Sequence, residues 1–261
     1  MSAVPETTDA RLRASHFRYV LRLGDTSLIL GQRLGEWVGH APALEEDLGL
    51  ANLALDLIGQ ARHLLSYAGE LEAQGRDEDT LAFLRDAPAF TNLTLAEQPN
   101  GDFAHTVVRQ FLLDAWQLEL YEALQGSTDA RLAGIAAKAL KETRYHFRYS
   151  AGWLVRLGDG TAESHTRIEL ALTELWRFTA ELFAADEVDE CMARAGIGPP
   201  LTELEPRWSA RVGAVLQQAT LQTPAPACFA WHGKKGVHTE HLGHLLAEMQ
   251  HLQRTYPGAR W

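Results

Sequence analysis

The chain has 261 residues, a formal net charge of −10 and 46% hydrophobic residues. This balance is typical of a globular protein with a sizeable core, and the negative charge argues against general binding to nucleic acid. Two cysteines, Cys191 and Cys228, are too few for a disulfide framework or a zinc knuckle. Neither a signal peptide nor a run of about 18 apolar residues is present, so we expect a cytoplasmic protein without a membrane span.

Helical periodicity runs along almost the whole chain, and no segment shows the alternation of a strand. Gly and Pro in the stretch GHAP separate the first two predicted helices. A long connection follows over about residues 74–101, with a short helix in DEDTLAFLRD and turn residues in EQPNGDF. The main predicted helices cover residues 15–39, 43–73, 102–125, 129–157, 163–194, 202–220 and 237–254.

Four long helices in two pairs, joined by a long crossover, are the plan of a ferritin-like bundle. We therefore predict an all-α, ferritin-like four-helix bundle with additional C-terminal helices. The composition does not change along the chain, so we expect a single domain over residues 1–261, with residues 1–14 flexible. Another helical-bundle topology is the alternative.

Ferritin-like bundles often hold two irons with one carboxylate from each of two helices and a Glu-x-x-His pair from each of the other two. No core helix here carries Glu-x-x-His, although Glu36, Asp114 and His146 each lie in an apolar stretch. Buried charges need partners. We therefore expect a buried polar cluster in which His146 bridges the two carboxylates. Three unrelated side chains, or a single metal ion on them, are the alternatives.

Several blocks along the chain resemble the C subunits of bacterial phenylacetyl-CoA epoxidase, a multicomponent monooxygenase of aerobic phenylacetate catabolism. The resemblance covers nearly the whole chain, and the blocks stand in one order. They are QRLGEWVGHAP (32–42), LIGQAR (57–62), DTLAFLRD (79–86), EQPNGDFA (97–104), KETRYH (141–146), LWRFTAELF (175–183) and GKKGVHTEHLG (233–243).

The resemblance implies a structural subunit of a hetero-oligomer. In that family a similar A subunit holds the di-iron centre, and a reductase component draws electrons from NADPH for the epoxidation of the phenylacetyl-CoA ring with O₂. The di-iron positions of the A subunit fall here on Glu36, Leu57, Gln60, Asp114, Thr143 and His146. Leucine cannot bind iron, and glutamine and threonine are weak neutral donors. We therefore expect this chain to bind no metal or cofactor and to pair with the catalytic A subunit.

Other residues are candidates for contacts with coenzyme A or with a partner. Lys234 and Lys235 lie between glycines just before a predicted helix, where ammonium groups and helix N-terminal amides suit a phosphate. The remaining candidates are His238, Glu45, Glu46 and Asp47. We therefore consider phenylacetyl-CoA a candidate ligand at the interface between this chain and the A subunit.

Two alternatives come from other functional classes. The chain could be a metalloenzyme, with a degenerate centre at Glu36, Asp114 and His146 or with zinc on the last helix. The possible zinc ligands there are His238, His241, His244, Glu248 and His251. A helical module that binds coenzyme A esters by itself is the other alternative.

Overall fold

The computed structural model describes residues 8–226 and 232–259, and these ranges contain eleven α-helices and no β-strand. None of these helices combines the length and the apolar character needed to cross a membrane. The helices are α1 Thr8–Gly35, α2 Leu44–Glu72, α3 Glu78–Phe83, α4 Phe103–Leu124, α5 Ala130–Gly158, α6 Ala162–Trp176, α7 Ala180–Phe183, α8 Glu187–Arg194, α9 Leu201–Gln218, α10 Glu240–Met249 and α11 His251–Thr255.

The four long helices form two antiparallel pairs, as the sequence predicts. Helix α1 packs along α2, α4 packs along α5, and α2 also contacts α5. The crossover between the pairs contains α3 and a short 3₁₀ turn at Ala87–Ala89. Apolar residues at helical spacing, such as Leu30, Leu57, Phe111 and Leu120, lie in one continuous core. The all-α prediction is confirmed, and the bundle has the expected ferritin-like plan.

Helices α1 and α2 approach each other closely because glycines of α1 face α2. A Cβ atom at Gly24 would lie 2.8 Å from Cδ2 of Leu65, and one at Gly31 would lie 3.3 Å from the carbonyl oxygen of Ala54. A larger residue at either position would therefore require neighbouring atoms of α2 to shift. The first pair is therefore a tightly packed unit.

Several predicted boundaries differ from the structure. Helix α1 begins at Thr8, so residues 8–14, part of the segment expected to be flexible, are helical; residues 1–7 lie outside the described ranges. The element predicted at 163–194 is three helices, and the last of them, α8, begins after Asp186. The side chain of Asp186 accepts from the amides of Val188 and Asp189, and the side chain of Asp189 accepts from the amide of Asp186, which forms a capping box. Cys191 is a free thiol, and Cys228 lies outside the described residues.

The last predicted helix also starts later than expected. Before Glu240, residues Gly233–Lys235 form a 3₁₀ turn, and the following Gly236 has a φ of +76°, which favours glycine. A second break at Gln250 separates α10 from α11. The prediction of one helix over residues 237–254 was therefore wrong.

A buried ion pair and two hydrogen bonds hold the crossover against α1. The guanidinium of Arg85 donates to both oxygens of Asp25, and both side chains are almost fully buried. The amide and the hydroxyl of Thr91 donate to the same carboxylate at 2.8 and 3.0 Å. These contacts with Asp25 fix the crossover to α1.

Candidate functional site

Helix α2 fills two of the six di-iron positions with residues that pack or hydrogen-bond inside the bundle. Leu57 is fully buried in the core. Nε2 of Gln60 donates to Oε2 of Glu142 on α5 at 3.0 Å, and the hydroxyl of Tyr121 on α4 donates to Oε1 of Gln60 at 3.3 Å. The amide thus joins three helices at a position where the resemblance implies an iron ligand in the A subunit.

Asp114 on α4 is fully buried in surroundings that favour a neutral carboxyl group. Gln110 donates to one of its oxygens at 2.6 Å and Ser150 donates to the other at 2.7 Å. Burial raises the pKa of Asp114 to about 8, although these two hydrogen bonds oppose the shift. No cation among the described residues pairs with this side chain, so it is largely protonated at neutral pH.

His146 on α5 lies beside a carboxylate that the sequence analysis did not select. Its Nε2 atom is 3.1 Å from Oδ2 of Asp56 on α2. Burial lowers the pKa of His146, and the nearby Asp56 opposes this only in part. Nδ1 of His146 and Oγ1 of Thr143, one turn earlier, are buried without a hydrogen-bond partner among the described residues.

Glu36 follows the end of α1 and is exposed. It accepts hydrogen bonds from Nη1 of Arg33 at 2.8 Å and from Nδ2 of Asn100 at 2.9 Å. Glu36, Asp114 and His146 therefore each have separate partners, and none of the three hydrogen-bonds to another. The prediction that His146 bridges the two carboxylates was wrong, because Arg33 and Asn100 bind Glu36, Gln110 and Ser150 bind Asp114, and Asp56 lies beside His146.

The donor set does not fit a di-iron centre. Leu57 has no donor atom, the amide of Gln60 is held by Glu142 and Tyr121, and Thr143 offers only a neutral hydroxyl. Across the described ranges, no group of three or more His, Cys, Asp or Glu side chains is close enough together to hold a metal ion. The described residues therefore offer no converging set of ligands for a degenerate centre at Glu36, Asp114 and His146, or for zinc at the histidines of the last predicted helix.

Lys234 and His238 are used inside the fold. Nζ of Lys234 donates to the carbonyl of Ala184 at 2.6 Å and to Asp189 at 2.9 Å. Nδ1 of His238 lies 2.7 Å from a carboxylate oxygen of Glu97. As accessible contacts for coenzyme A or a partner these two predictions were wrong, because both side chains are engaged in buried pairs. Lys235 is exposed and stays a predicted contact.

Two of the three acidic residues in the first turn of α2 form hydrogen bonds within the fold. One oxygen of Glu46 accepts from the hydroxyl of Tyr149 at 2.8 Å and from Nε1 of Trp153 at 2.9 Å, both on α5. Asp47 accepts from the amide of Gly39 at 2.7 Å, which closes the loop between α1 and α2. Glu45 is exposed and stays a predicted contact.

Helix α2 also carries an exposed apolar stripe that the sequence analysis missed. We define the α2 stripe as Leu44, Leu48, Leu55 and Ile58, which are 72%, 57%, 66% and 38% exposed. Their spacing of four, seven and three residues places them on one side of the helix. The sequence does contain this pattern. A helix in a bundle needs apolar residues only on the face that packs in the core, whereas α2 has apolar residues on a second face as well.

Comparison with known proteins assigns the family. The family model described as phenylacetic acid catabolic protein matches residues 1–261. The chain is also similar to the C subunit of 1,2-phenylacetyl-CoA epoxidase of Escherichia coli (strain K12), with 56% identity over 243 residues, which are 93% of this chain and 98% of that protein. Both findings agree with the resemblance in the ordered sequence blocks. The chain therefore belongs to the phenylacetic acid catabolic protein family.

Proposed function

We propose that this chain is the structural C subunit of a phenylacetyl-CoA epoxidase and that it pairs with a homologous, catalytic A subunit. The A subunit would hold the two irons, and the complex would epoxidise the aromatic ring with O₂ and electrons that a reductase takes from NADPH. This chain would bind no cofactor and carry no catalytic residue. The similarity to the C subunit of an epoxidase supports the choice of complex.

The filling of the bundle interior is the observation that carries the structural role. A di-iron centre needs several carboxylates to balance the charge of its metals. At the corresponding positions this chain has a packed leucine, Leu57, and an amide, Gln60, that is already hydrogen-bonded to two other helices. Such an interior contributes packing and hydrogen bonds to the stability of the chain rather than ligands to a metal.

The α2 stripe supports pairing with another chain. Contiguous apolar surface of this kind is a common mark of a protein–protein interface. Tyr145 on α5 is exposed as well, and it lies next to His146, which contacts α2. A homologous bundle packed on α2 and α5 would remove this surface from water. Contacts of Glu45 and Lys235 with the partner, and phenylacetyl-CoA at the interface, belong to the same proposal.

The test is co-purification with a co-expressed A-type subunit, together with the iron content of each preparation. We expect the isolated chain to contain no stoichiometric iron and the complex to contain it. Leu55→Glu should weaken or abolish co-purification without changing the thermal unfolding of the isolated chain, because Leu55 is already in water there. Leu170→Glu on α6 is the matched control, since Leu170 is 52% exposed and lies outside the α2 stripe.

Two outcomes would contradict the proposal. Roughly one or two irons per isolated chain would show that this bundle holds a metal centre of its own. Equal co-purification of the Leu55→Glu variant and the wild-type chain would show that the partner does not cover the α2 stripe. The iron content tests whether this chain is catalytic, and the co-purification tests only whether the partner binds at the α2 stripe. The two parts of the proposal can therefore fail independently.

A further inference from the structure

A basic groove lies between α4, α5 and α9, away from the α2 stripe. Its cavity volume is about 490 Å³, which is within the usual range for small-molecule sites. Leu118 and Phe147 line it, and Leu118 is almost fully buried. Phe147 packs against Phe111 with ring centroids 5.8 Å apart. The groove therefore has an apolar floor that belongs to the core.

Three cations of α5 face this groove. Lys141, Arg144 and Arg148 line it and are exposed. Positions three and seven residues after the first lie on the same side of a helix, and seven residues span about 10 Å. Like charges at this spacing destabilise a helix slightly. The stability of α5 itself therefore does not explain the cluster.

The carboxylates near the groove do not neutralise it. Glu119 is buried and forms ion pairs with Arg207 at 2.7 Å and with Arg211 at 2.6 Å. Glu122, which also lines the groove, pairs with Arg207 at 3.0 Å and lies 3.6 Å from Arg144. Both carboxylates thus already have at least two cations each.

Two of the groove's cations remain unpaired. Within the part of the chain that the structure describes, no carboxylate lies within ion-pair distance of Lys141 or Arg148. A chain of net charge −10 thus presents a local excess of positive charge.

We infer that this groove binds a ligand that carries two or more phosphate groups. Guanidinium groups donate to phosphate oxygens in a two-pronged geometry, and ammonium groups add point charge. A row of cations about 10 Å long is too extended for one phosphate. It matches a chain of phosphates or several phosphates on one molecule. The apolar floor keeps water away from one side and so strengthens these attractions.

The inference does not depend on the proposed function. A free nucleotide and coenzyme A share the relevant chemistry, since both carry several phosphate groups. The observations that favour a phosphate ligand are the unpaired Lys141 and Arg148 and the cavity volume. An acidic segment of a protein would be recognised by the charges alone and is the alternative that the experiment must separate.

The experiment is calorimetric titration of the full-length chain with ADP, coenzyme A and inorganic triphosphate at low ionic strength. We expect saturable binding at one site that weakens as salt is added. The double variant Lys141→Gln/Arg148→Gln should weaken binding by roughly tenfold or more. It removes two charge-assisted contacts with the phosphates, and such contacts are stronger than hydrogen bonds between neutral groups. Tighter binding of coenzyme A than of inorganic triphosphate, which has the same number of phosphate groups, would identify coenzyme A as the source, and equal binding would identify the phosphates alone.

The matched control is Lys138→Gln. Lys138 is an exposed cation of α5, but its Nζ lies 2.9 Å from Nε2 of His63 on α2, outside the groove. Binding should not change in this variant. Absence of saturable binding, or an equal loss in Lys138→Gln, would overturn the inference. Binding of a polyglutamate peptide at Lys141 and Arg148, with no binding of the three phosphate probes, would also overturn it and would indicate an acidic protein segment.

Discussion

Asp114 shows how one buried side chain couples stability to pH. Its pKa in the folded chain is raised by burial to about 8 from an ordinary value of 3.8. Between these two values the folded chain holds a proton that the unfolded chain has released. Stability therefore falls as the pH rises through this window, by at most about 1.4 kcal/mol per pH unit, and levels off above about pH 8.

Asp114→Asn should remove this pH dependence. The amide keeps the shape of the side chain and can hydrogen-bond to Gln110 and Ser150, but it cannot ionise. We expect the variant to be more stable than the wild type at about pH 9, with the difference shrinking towards about pH 5. Urea unfolding at a series of pH values measures it. Asp79→Asn removes an exposed carboxylate and is the control; equal pH profiles for wild type and Asp114→Asn would contradict the prediction.

At the scale of the element, α2 serves several neighbours at once. Its buried residues pack in the core, its first turn holds α5 through Glu46, and its outer face carries the α2 stripe. Near its C-terminal end, Gly69 lies against the backbone of Arg76, where the chain turns towards α3. By contrast, Gly59 in the middle of the helix has open space around it.

These two glycines should respond in opposite ways to alanine. A Cβ atom at Gly69 would lie 2.1 Å from the carbonyl oxygen of Arg76, so Gly69→Ala should destabilise the isolated chain by about 1–3 kcal/mol. A Cβ atom at Gly59 meets nothing within 4 Å, so Gly59→Ala should stabilise it by about 0.5–1 kcal/mol through helix propensity. Denaturant unfolding of both variants measures the difference. A loss of stability in both would refute the local packing.

The long helices and the short helix α3 were predictable, and the division of residues 163–194 into three helices was not. A helix of about 20 residues repeats its apolar spacing over many turns, so that single exceptions do not hide the pattern. The breaks that divide residues 163–194 depend on the cap at Asp186 and on turns between helices. In the sequence these turns look like further helix, because their residues are still good helix formers.

At the scale of the whole molecule, one carboxylate links the crossover to the C-terminal segment. Glu97 accepts from His238, from the amide and hydroxyl of Thr239 at 2.7 and 2.8 Å, and from Asn92 at 2.9 Å. Burial lowers the pKa of His238, but the hydrogen bond and the charge of Glu97 outweigh it, and the net shift is upward. The upward shift favours the protonated imidazole of His238, in a buried pair across two distant parts of the chain.

His238→Gln should make the chain less stable, and more so at low pH. Since the folded-state pKa of His238 is raised, the pair contributes fully below the unfolded value of about 6.5 and is lost as the pH rises through the folded value. We expect a larger difference from the wild type at about pH 5.5 than at about pH 9 in urea unfolding. His251→Gln is the control, because His251 is exposed. A difference that grows with pH would contradict the assigned ion pair.

The sequence by itself determined the helical bundle and showed that position 57 offers no metal ligand. Apolar residues at helical spacing must be buried together, and a leucine at position 57 has no donor atom in any fold. The family resemblance likewise needed only the order of the sequence blocks. Only the tertiary structure decided which polar groups meet, because spacing along one helix leaves its rotation against the other helices open. That rotation places His146 beside Asp56, turns Lys234 inward and leaves Lys141 and Arg148 at an open groove.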